Sequence, residues 1–423
     1  MEAAKKFLLK TFGCQMNVYD GRRVEGMLGA LGYERTDDAA EADVIVLNTC
    51  AVRAKATDKV FSELGRIRKR KKPGAVFGIM GCVAREAGAE AFKKIPGLNF
   101  VLGPQQYHKL PLVLENPDAP GLYVDLSGLE KFDELPKMTS SELIAYMPVQ
   151  EGCGHCCAYC IVPYVRGPEL SRPFGAVMED VRRAADGGAI EICFLGQNVN
   201  GYENAGHRLS DLIIETAKIG AVKRIRYTSS YPTEMKNELI ALHGAEPKLL
   251  PFLNLPIQSG SPDVLRRMNR PYRVEDYFDI VARLRAARPG IQISSDFIVG
   301  FPGETDEDFE RTCKVAKDVG YINSYTFKYS KRPHTPAAAM PDQVPEKIKS
   351  ERLKILDDII SGSTRAFNES CVGKTFDCLL DGRNYRTPFM QQVVVGKNGA
   401  DYVRIKITDG NKCSLRGEIC GSI

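Results

Sequence analysis

Three short apolar runs punctuate the first hundred residues, and each leads to a cysteine. Residues 7–9 lead to Cys14, residues 44–47 lead through Asn48 and Thr49 to Cys50, and residues 76–80 lead through Gly81 to Cys82. After Cys14, the positions Val24, Met27, Leu28 and Leu31 keep the i, i+3, i+4, i+7 spacing of a helix with one apolar face. Alternating short strands and helices predict a doubly wound parallel sheet with helices on both faces. Loops that follow parallel strands leave the sheet at one edge, so the three cysteines are expected to meet in space.

Residues 115–140 are rich in Pro, Gly and acidic side chains with weak periodicity, and read as a connection between domains. A second strand–helix series follows, with strands predicted at 144–149, 190–195, 224–228, 252–257, 291–299 and 325–329. Ser261-Pro262 reads as an N-cap with proline in the first turn, and Thr305 with Asp308 as another helix start. Six such units predict an incomplete (β/α) barrel, a fold whose chemistry sits at the C-terminal ends of its strands. After residue 370 the pattern changes to short strands at 375–380, 390–395, 402–407 and 415–419 between turn residues, a small β-barrel. The predicted α/β organisation is therefore a first domain over 1–117, a partial barrel over 139–368 and a β-barrel over 371–423.

Composition narrows the class. No apolar stretch is long enough for a signal sequence or a membrane span, which predicts a cytoplasmic chain without membrane contact. The 13 cysteines are then candidates for metal or catalytic work rather than disulfides. The net charge of +5 is compatible with nucleic acid. The last 53 residues carry eight Lys or Arg against five Asp or Glu, so much of that excess lies in the small β-barrel and favours RNA contact there. The basic run Arg66-Ile-Arg-Lys-Arg-Lys-Lys72 reads either as a solvated helix end or as a phosphate contact.

The densest chemical signal is Glu151-Gly-Cys-Gly-His-Cys-Cys-Ala-Tyr-Cys160, directly after the first barrel strand. Cys153, Cys157 and Cys160 have the spacing C-x3-C-x2-C of [4Fe–4S] ligands, and three thiolates for four irons leave one iron open. Cys156 adds a second C-x2-C with Cys153, so a structural zinc site is the competing reading. Crowding of four cysteines into eight residues, at the end of a barrel strand, argues against zinc. Cys193, Cys313, Cys371, Cys378, Cys413 and Cys420 lack ligand-like spacing and read as packing residues.

With Tyr159 before its last cysteine, this run resembles the radical S-adenosylmethionine superfamily. Within it, the chain is similar to the methylthiotransferase family. The first domain carries Gly13-Cys-Gln-Met-Asn17, Asn48-Thr-Cys-Ala-Val-Arg53 and Gly81-Cys82. The central one carries Arg166-Gly-Pro-Glu-Leu-Ser-Arg-Pro173, Pro256-Ile-Gln-Ser-Gly-Ser261, Val299-Gly-Phe-Pro-Gly-Glu-Thr305 and Arg332-Pro-His-Thr-Pro-Ala337. The last segment resembles the TRAM domain, an RNA-binding β-barrel. Leu195-Gly-Gln-Asn-Val-Asn200 resembles the branch that acts on N6-isopentenyladenosine at position 37 of tRNA. Asp20-Gly-Arg22 departs from the family's usual Asp-Ser-Glu, and Gly154-His155-Cys156 is atypical inside the cysteine loop.

The resemblance implies two [4Fe–4S] clusters and S-adenosylmethionine. Cys153, Cys157 and Cys160 would hold the cluster that generates a 5′-deoxyadenosyl radical. Cys14, Cys50 and Cys82 would hold an auxiliary cluster that delivers sulfur. Two S-adenosylmethionine molecules would serve each turnover, one as methyl donor and one as radical source acting at C2 of the adenine. Tyr159, Gln197, Gly300, Pro302 and Gly303 are the expected cofactor contacts. Glu151, Arg166, Arg172, Asn198 and Gln258 are the expected substrate contacts, although interstrand salt bridges explain the charged ones equally well. The implied partners are the anticodon stem-loop of tRNA and an electron donor such as flavodoxin or ferredoxin, with the chain acting as a monomer. Other branches act on threonylcarbamoyl-adenosine or a ribosomal protein aspartate, and a non-catalytic zinc or cluster RNA-binding protein is the alternative outside enzymes.

Overall fold

The computed structural model describes residues 4–51, 54–126, 128–137, 142–397 and 399–423. Strands β1 (Lys6–Thr11), β2 (Glu34–Arg35), β3 (Val44–Thr49), β4 (Val76–Gly81), β5 (Phe100–Leu102) and β6 (Gly121–Tyr123) form one sheet in the order β2-β1-β3-β4-β5-β6. Every pairing in it is parallel. Alternation along each strand divides the apolar side chains between two layers. Leu8, Ile45, Phe77 and Ile79 pack on one face, and Phe7, Val46 and Met80 on the other. The helix Gln15–Ala30 runs unbroken through Asp20-Gly-Arg22, so that departure leaves the helix intact.

The expected connection over 115–140 is more ordered than its pattern suggested. It supplies the edge strand β6 and a helix at Glu130–Glu134. Five residues give less than two helical turns, too few for a periodic signal. This helix nevertheless drives Lys131 and Phe132 into the interior, where they are 1% and 3% exposed. Residues 127 and 138–140 of the segment lie outside the described residues.

The central wall consists of β7 (Ile144–Pro148), β8 (Glu191–Leu195), β9 (Arg224–Tyr227), β10 (Phe252–Asn254), β11 (Gln292–Ser294), β12 (Asp296–Val299) and β13 (Tyr325–Lys328). β8 pairs in parallel with β7 and β9, β10 with β11, and β12 with β13. Single parallel bridges, Ile225 to Leu249 and Gln258 to Phe297, join these groups into one curved wall. The predicted strand 291–299 is thus two strands. Ser295 breaks it because its hydroxyl accepts the Ile257 amide at 2.9 Å while its own amide turns to Ser324 Oγ at 2.9 Å. The predicted caps are present: Ser261 Oγ accepts from the Val264 amide, and Thr305 and Asp308 cap each other's backbone.

Ile192 and Phe194 of β8 point towards the barrel helices, whereas Cys193 and Leu195 face inward and meet Met16 of the first domain. Arg22 and Arg226 both lie over the Tyr146 ring, at 5.7 and 5.8 Å. The first domain therefore packs against the inner surface of the open wall. The chain ends in a closed barrel, β14 (Thr375–Asp381), β15 (Asn384–Arg386), β16 (Gln392–Val394), β17 (Tyr402–Gly410) and β18 (Leu415–Ser422). The three-residue β15 sits in a turn-rich stretch and was not predicted. The predicted strand 390–395 is shorter than expected, since Met390 has φ +63°. Arg224 clips this barrel to the central wall by donating to the Arg386 and Thr387 carbonyls, each at 3.0 Å.

Cys193, Cys313, Cys371 and Cys378 are buried as expected of packing residues, but Cys413 and Cys420 are exposed, which corrects that reading for these two. The basic run ends the helix Ala54–Arg70, which buries Val60, Leu64 and Ile67 on its inner face. Arg66, Arg70 and Lys72 there pair with Glu63, Asp38 and Asp43 at 3.6, 3.8 and 2.6 Å, the arrangement of a solvated helix end. Among the described residues no helix is long and apolar enough to cross a membrane.

Candidate functional site: two cysteine sets joined by a buried ion network

Strands β1, β3 and β4 are neighbours, and each delivers one cysteine at its C-terminal end. Cys14 precedes the helix Gln15–Ala30, Cys50 follows β3, and Cys82 opens the helix Cys82–Ala87. The first two loops are stapled together. Asn17 Nδ2 donates to Asn48 Oδ1 at 2.9 Å and to the Thr49 carbonyl at 3.0 Å, and Asn48 Nδ2 returns a bond to the Asn17 carbonyl at 2.7 Å. Gly13 has φ +134°, and a Cβ there would lie 2.3 Å from the Cβ of Cys50, so only glycine admits this approach. The asparagines of both motifs are thereby explained as loop staples. Val52 and Arg53 of the second motif lie outside the described residues.

A hydrogen bond from Cys50 and the charge of Arg166 hold the exposed Cys14 thiol down to about 6. Burial raises the Cys82 thiol, with Arg166 opposing. Among the described residues no three His, Cys, Asp or Glu side chains converge closely enough to enclose a single metal ion. Three thiolates at three strand ends are the donor type and number that a [4Fe–4S] cluster with one open iron takes, whereas a structural zinc site closes with a fourth ligand.

The second set lies on the loop after β7. Gln150–Glu151 pairs antiparallel with Leu170–Ser171 and closes the loop at its base. Gly152, at φ +75°, passes so near Pro168 that a Cβ would sit 1.8 Å from its carbonyl oxygen. Cys157 is buried, Cys153 and Cys160 are partly buried, and Cys156 is exposed. Burial pushes the Cys153 thiol up to about 11 and the Cys160 thiol up to about 12. N–H donors already face two sulfurs: Val162 N to Cys160 Sγ at 3.4 Å, and Arg270 Nη1 to Cys157 Sγ at 3.6 Å. Such donors stabilise cluster thiolates. The Cys156 carbonyl is held outward by Asn269 Nδ2 at 2.8 Å. Cys156→Ala is therefore expected to leave iron content and absorbance of the anaerobic protein unchanged, whereas Cys157→Ala removes about four irons; iron analysis of both variants checks this.

The remaining expected contacts divide into two groups. Gln197 and Asn198 stand at the end of β8 beside a set of buried polar atoms without partners: Gln197 Oε1, Asn198 Oδ1, Gln150 Nε2, His155 Nε2, Ser230 Oγ and Tyr231 Oη. His155 stacks on Tyr231 at 3.7 Å. Gln258 stands at the end of β10 with φ +71°, a left-handed strain of about 1 kcal/mol. Unsatisfied polar atoms and strained backbone at strand ends fit a polar cofactor such as S-adenosylmethionine. Tyr159 accepts from Arg270 Nη1 at 3.2 Å and packs beside Phe301.

Glu151, Arg166, Arg172, Gly300 and Gly303, by contrast, are engaged within the protein. Arg172 Nη2 meets Asp180 at 2.7 Å and its guanidinium lies over Phe132. The close approaches at Gly300 and Gly303 come from Lys349 and Arg267, and Phe301 between them is buried, so the Pro302 turn buttresses the cysteine loop from behind. Arg166 Nη1 binds Glu151 Oε1 at 2.6 Å, and Lys131 Nζ lies 3.1 Å from both Asp20 and Glu151. These four charges are at most 4% exposed. They join the first helix, the connecting helix and the cysteine loop. The short helix Val162–Arg166 also packs Ile161 and Val165 into the core that contains Cys82. Arg332 reaches the same place from the other side, donating to the Ala51 carbonyl beside Cys50. The two cysteine sets are thus neighbours across one domain contact.

Sequence reasoning missed Arg270, Lys131 and Asp20. Arg270 follows Asn269, whose φ of +57° makes the turn that aims it at the loop; the Asn-Arg-Pro punctuation was the available signal.

Residues 147–316 match the radical SAM superfamily, and residues 6–103 match the uncharacterized protein family UPF0004. The fold is shared with the radical S-adenosylmethionine methyltransferase TsrM from Kitasatospora setae, at TM-score 0.60 and 16% identity over 79% of this chain and 77% of that one. Fold and cysteine loop together define a radical S-adenosylmethionine enzyme. The tRNA-2-methylthio-N(6)-dimethylallyladenosine synthase of Rickettsia canadensis is 46% identical over 98% of this chain and 99% of its own length. That of Cereibacter sphaeroides is 44% identical over the full length of both. The chain belongs to this methylthiotransferase family.

Proposed function

We propose that this enzyme places a methylthio group on C2 of N6-isopentenyladenosine at position 37 of tRNA. The observation that carries the reading is the meeting of two three-cysteine sets across one domain contact, because a carbon radical must form within contact distance of the sulfur it collects. Cys153, Cys157 and Cys160 would hold one [4Fe–4S] cluster, and Cys14, Cys50 and Cys82 the other. With S-adenosylmethionine bound, the first supplies a hydrogen-abstracting radical and the second supplies sulfur.

The protein's own residues bind, orient and shield. The partnerless atoms of Gln197, Asn198 and Ser230 are positioned to take up polar groups of the cofactor. Arg270 fixes the buried Cys157 and Tyr159. The His155–Tyr231 stack offers an aromatic surface for an unstacked anticodon-loop base. The C-terminal β-barrel, with its basic excess, would hold the anticodon stem as a TRAM domain. A one-electron donor such as flavodoxin or ferredoxin completes the reaction, and the reading takes the chain as a cytoplasmic monomer.

The test is substrate choice. Anaerobic enzyme given S-adenosylmethionine and reductant is expected to convert isopentenylated tRNA, and to leave threonylcarbamoylated tRNA unchanged, by mass spectrometry of nucleosides. Conversion of the second alone would move the assignment to the other branch.

A further inference from the structure

Arg166 stands where the two halves of the site meet. It ends the helix that follows Cys160, and its carbonyl is held by Gln105 Nε2 of the first domain at 2.8 Å. Its Nη1 is committed to Glu151 at 2.6 Å. Its Nη2 is buried and stands 3.7 Å from Asp20 Oδ2, too far for a hydrogen bond to that carboxylate. A guanidinium with a fixed fork seldom leaves a buried N–H unmet. The local charges are balanced, with Arg166 and Lys131 against Asp20 and Glu151, so the free N–H is not explained by a missing counter-ion. The short helix that it ends packs into the core that holds Cys82, and its charge bears on the Cys82 and Cys14 thiols.

We infer that Arg166 is a positioning residue for the auxiliary cluster: Glu151 and Asp20 aim its free N–H at the cluster's sulfur, setting that cluster's reduction potential from the loop that bears the other one. The inference rests on the reading that Cys14, Cys50 and Cys82 hold a cluster. A positive donor beside a cluster stabilises its reduced, more negative state, and a nearby carboxylate opposes it. Both signs are present here in a buried setting where charges act strongly.

The test uses the full chain with Cys153, Cys157 and Cys160 replaced by Ala, so that only the auxiliary cluster reports. Its midpoint is followed by EPR during a redox titration. Arg166→Met is expected to shift the midpoint negative, Arg166→Lys to shift it less, and Asp20→Asn to shift it positive. Opposite signs separate an electrical role from loosened structure, which would move both variants one way. Arg352→Met, which removes an equally buried arginine from the Glu304 pair, is expected to leave the midpoint in place. A loaded cluster whose midpoint is the same in the Arg166 and Asp20 variants, or moves in one direction in both, overturns the inference. A parent chain without iron or EPR signal overturns instead the assignment of Cys14, Cys50 and Cys82.

Discussion

Replacing Cys14, Cys50 and Cys82 together by alanine is expected to halve the iron of the anaerobically purified enzyme, from about eight to about four per chain. Methylthio product should fall below detection while 5′-deoxyadenosine is still released. The asymmetry follows from the architecture. The three alanines lie at strand ends of the first sheet, whereas the Cys153–Cys160 loop is closed at its own base by the Gln150–Glu151 pairing and held by Arg270 and Asn269. Radical generation therefore keeps its whole framework when sulfur delivery is lost. Iron and sulfide analysis, with chromatography of both nucleoside products, checks the expectation. Equal iron in the two proteins would sink the two-cluster assignment.

The second large effect concerns stability. Lys131→Met is expected to cost about 3–5 kcal/mol, because it leaves the buried carboxylates of Asp20 and Glu151 facing a single guanidinium. Methionine fills a similar volume beside Phe132 and Tyr107, so the loss measures charge rather than packing. Adding Asp20→Asn to Lys131→Met restores the balance and should recover a good part of the lost stability. Urea unfolding of the two single variants and the double variant gives the coupling directly. Additive losses would show that Lys131 contributes only as an aliphatic wedge.

The residues that could be read in advance are those whose role is local. A run of apolar positions ending in cysteine is enough to predict β1, β3 and β4 and the three ligand candidates, because strand end and side chain are a few residues apart. The C-x3-C-x2-C loop and the caps at Ser261 and Thr305 are likewise complete within one turn of chain. What could not be read depends on partners far away in sequence. The break at Ser295 exists because its hydroxyl accepts from the Ile257 amide while its own amide donates to Ser324 Oγ. Lys131 looked like one more charge in an acidic connection, since Asp20 lies 111 residues before it. Glu151 and Arg166 were expected to face ligand or to form salt bridges, and only the fold shows the second. The crowding of the glycines after β12 by Lys349 and Arg267 comes from far along the chain and could not be read beside them.

The two cysteine sets also differ in when they can be completed. Cys153, Cys157 and Cys160 share one short loop, so they can be gathered before the rest of the barrel exists, at small loop-closure cost. Cys14, Cys50 and Cys82 come from three strands and meet only once the first sheet has formed and the Asn17–Asn48 staple is made. The connecting helix places Lys131 between Asp20 of the first domain and Glu151 of the cysteine loop. The strand-end set is therefore as stable as the fold of the first sheet, whereas the loop set answers to one short stretch of chain.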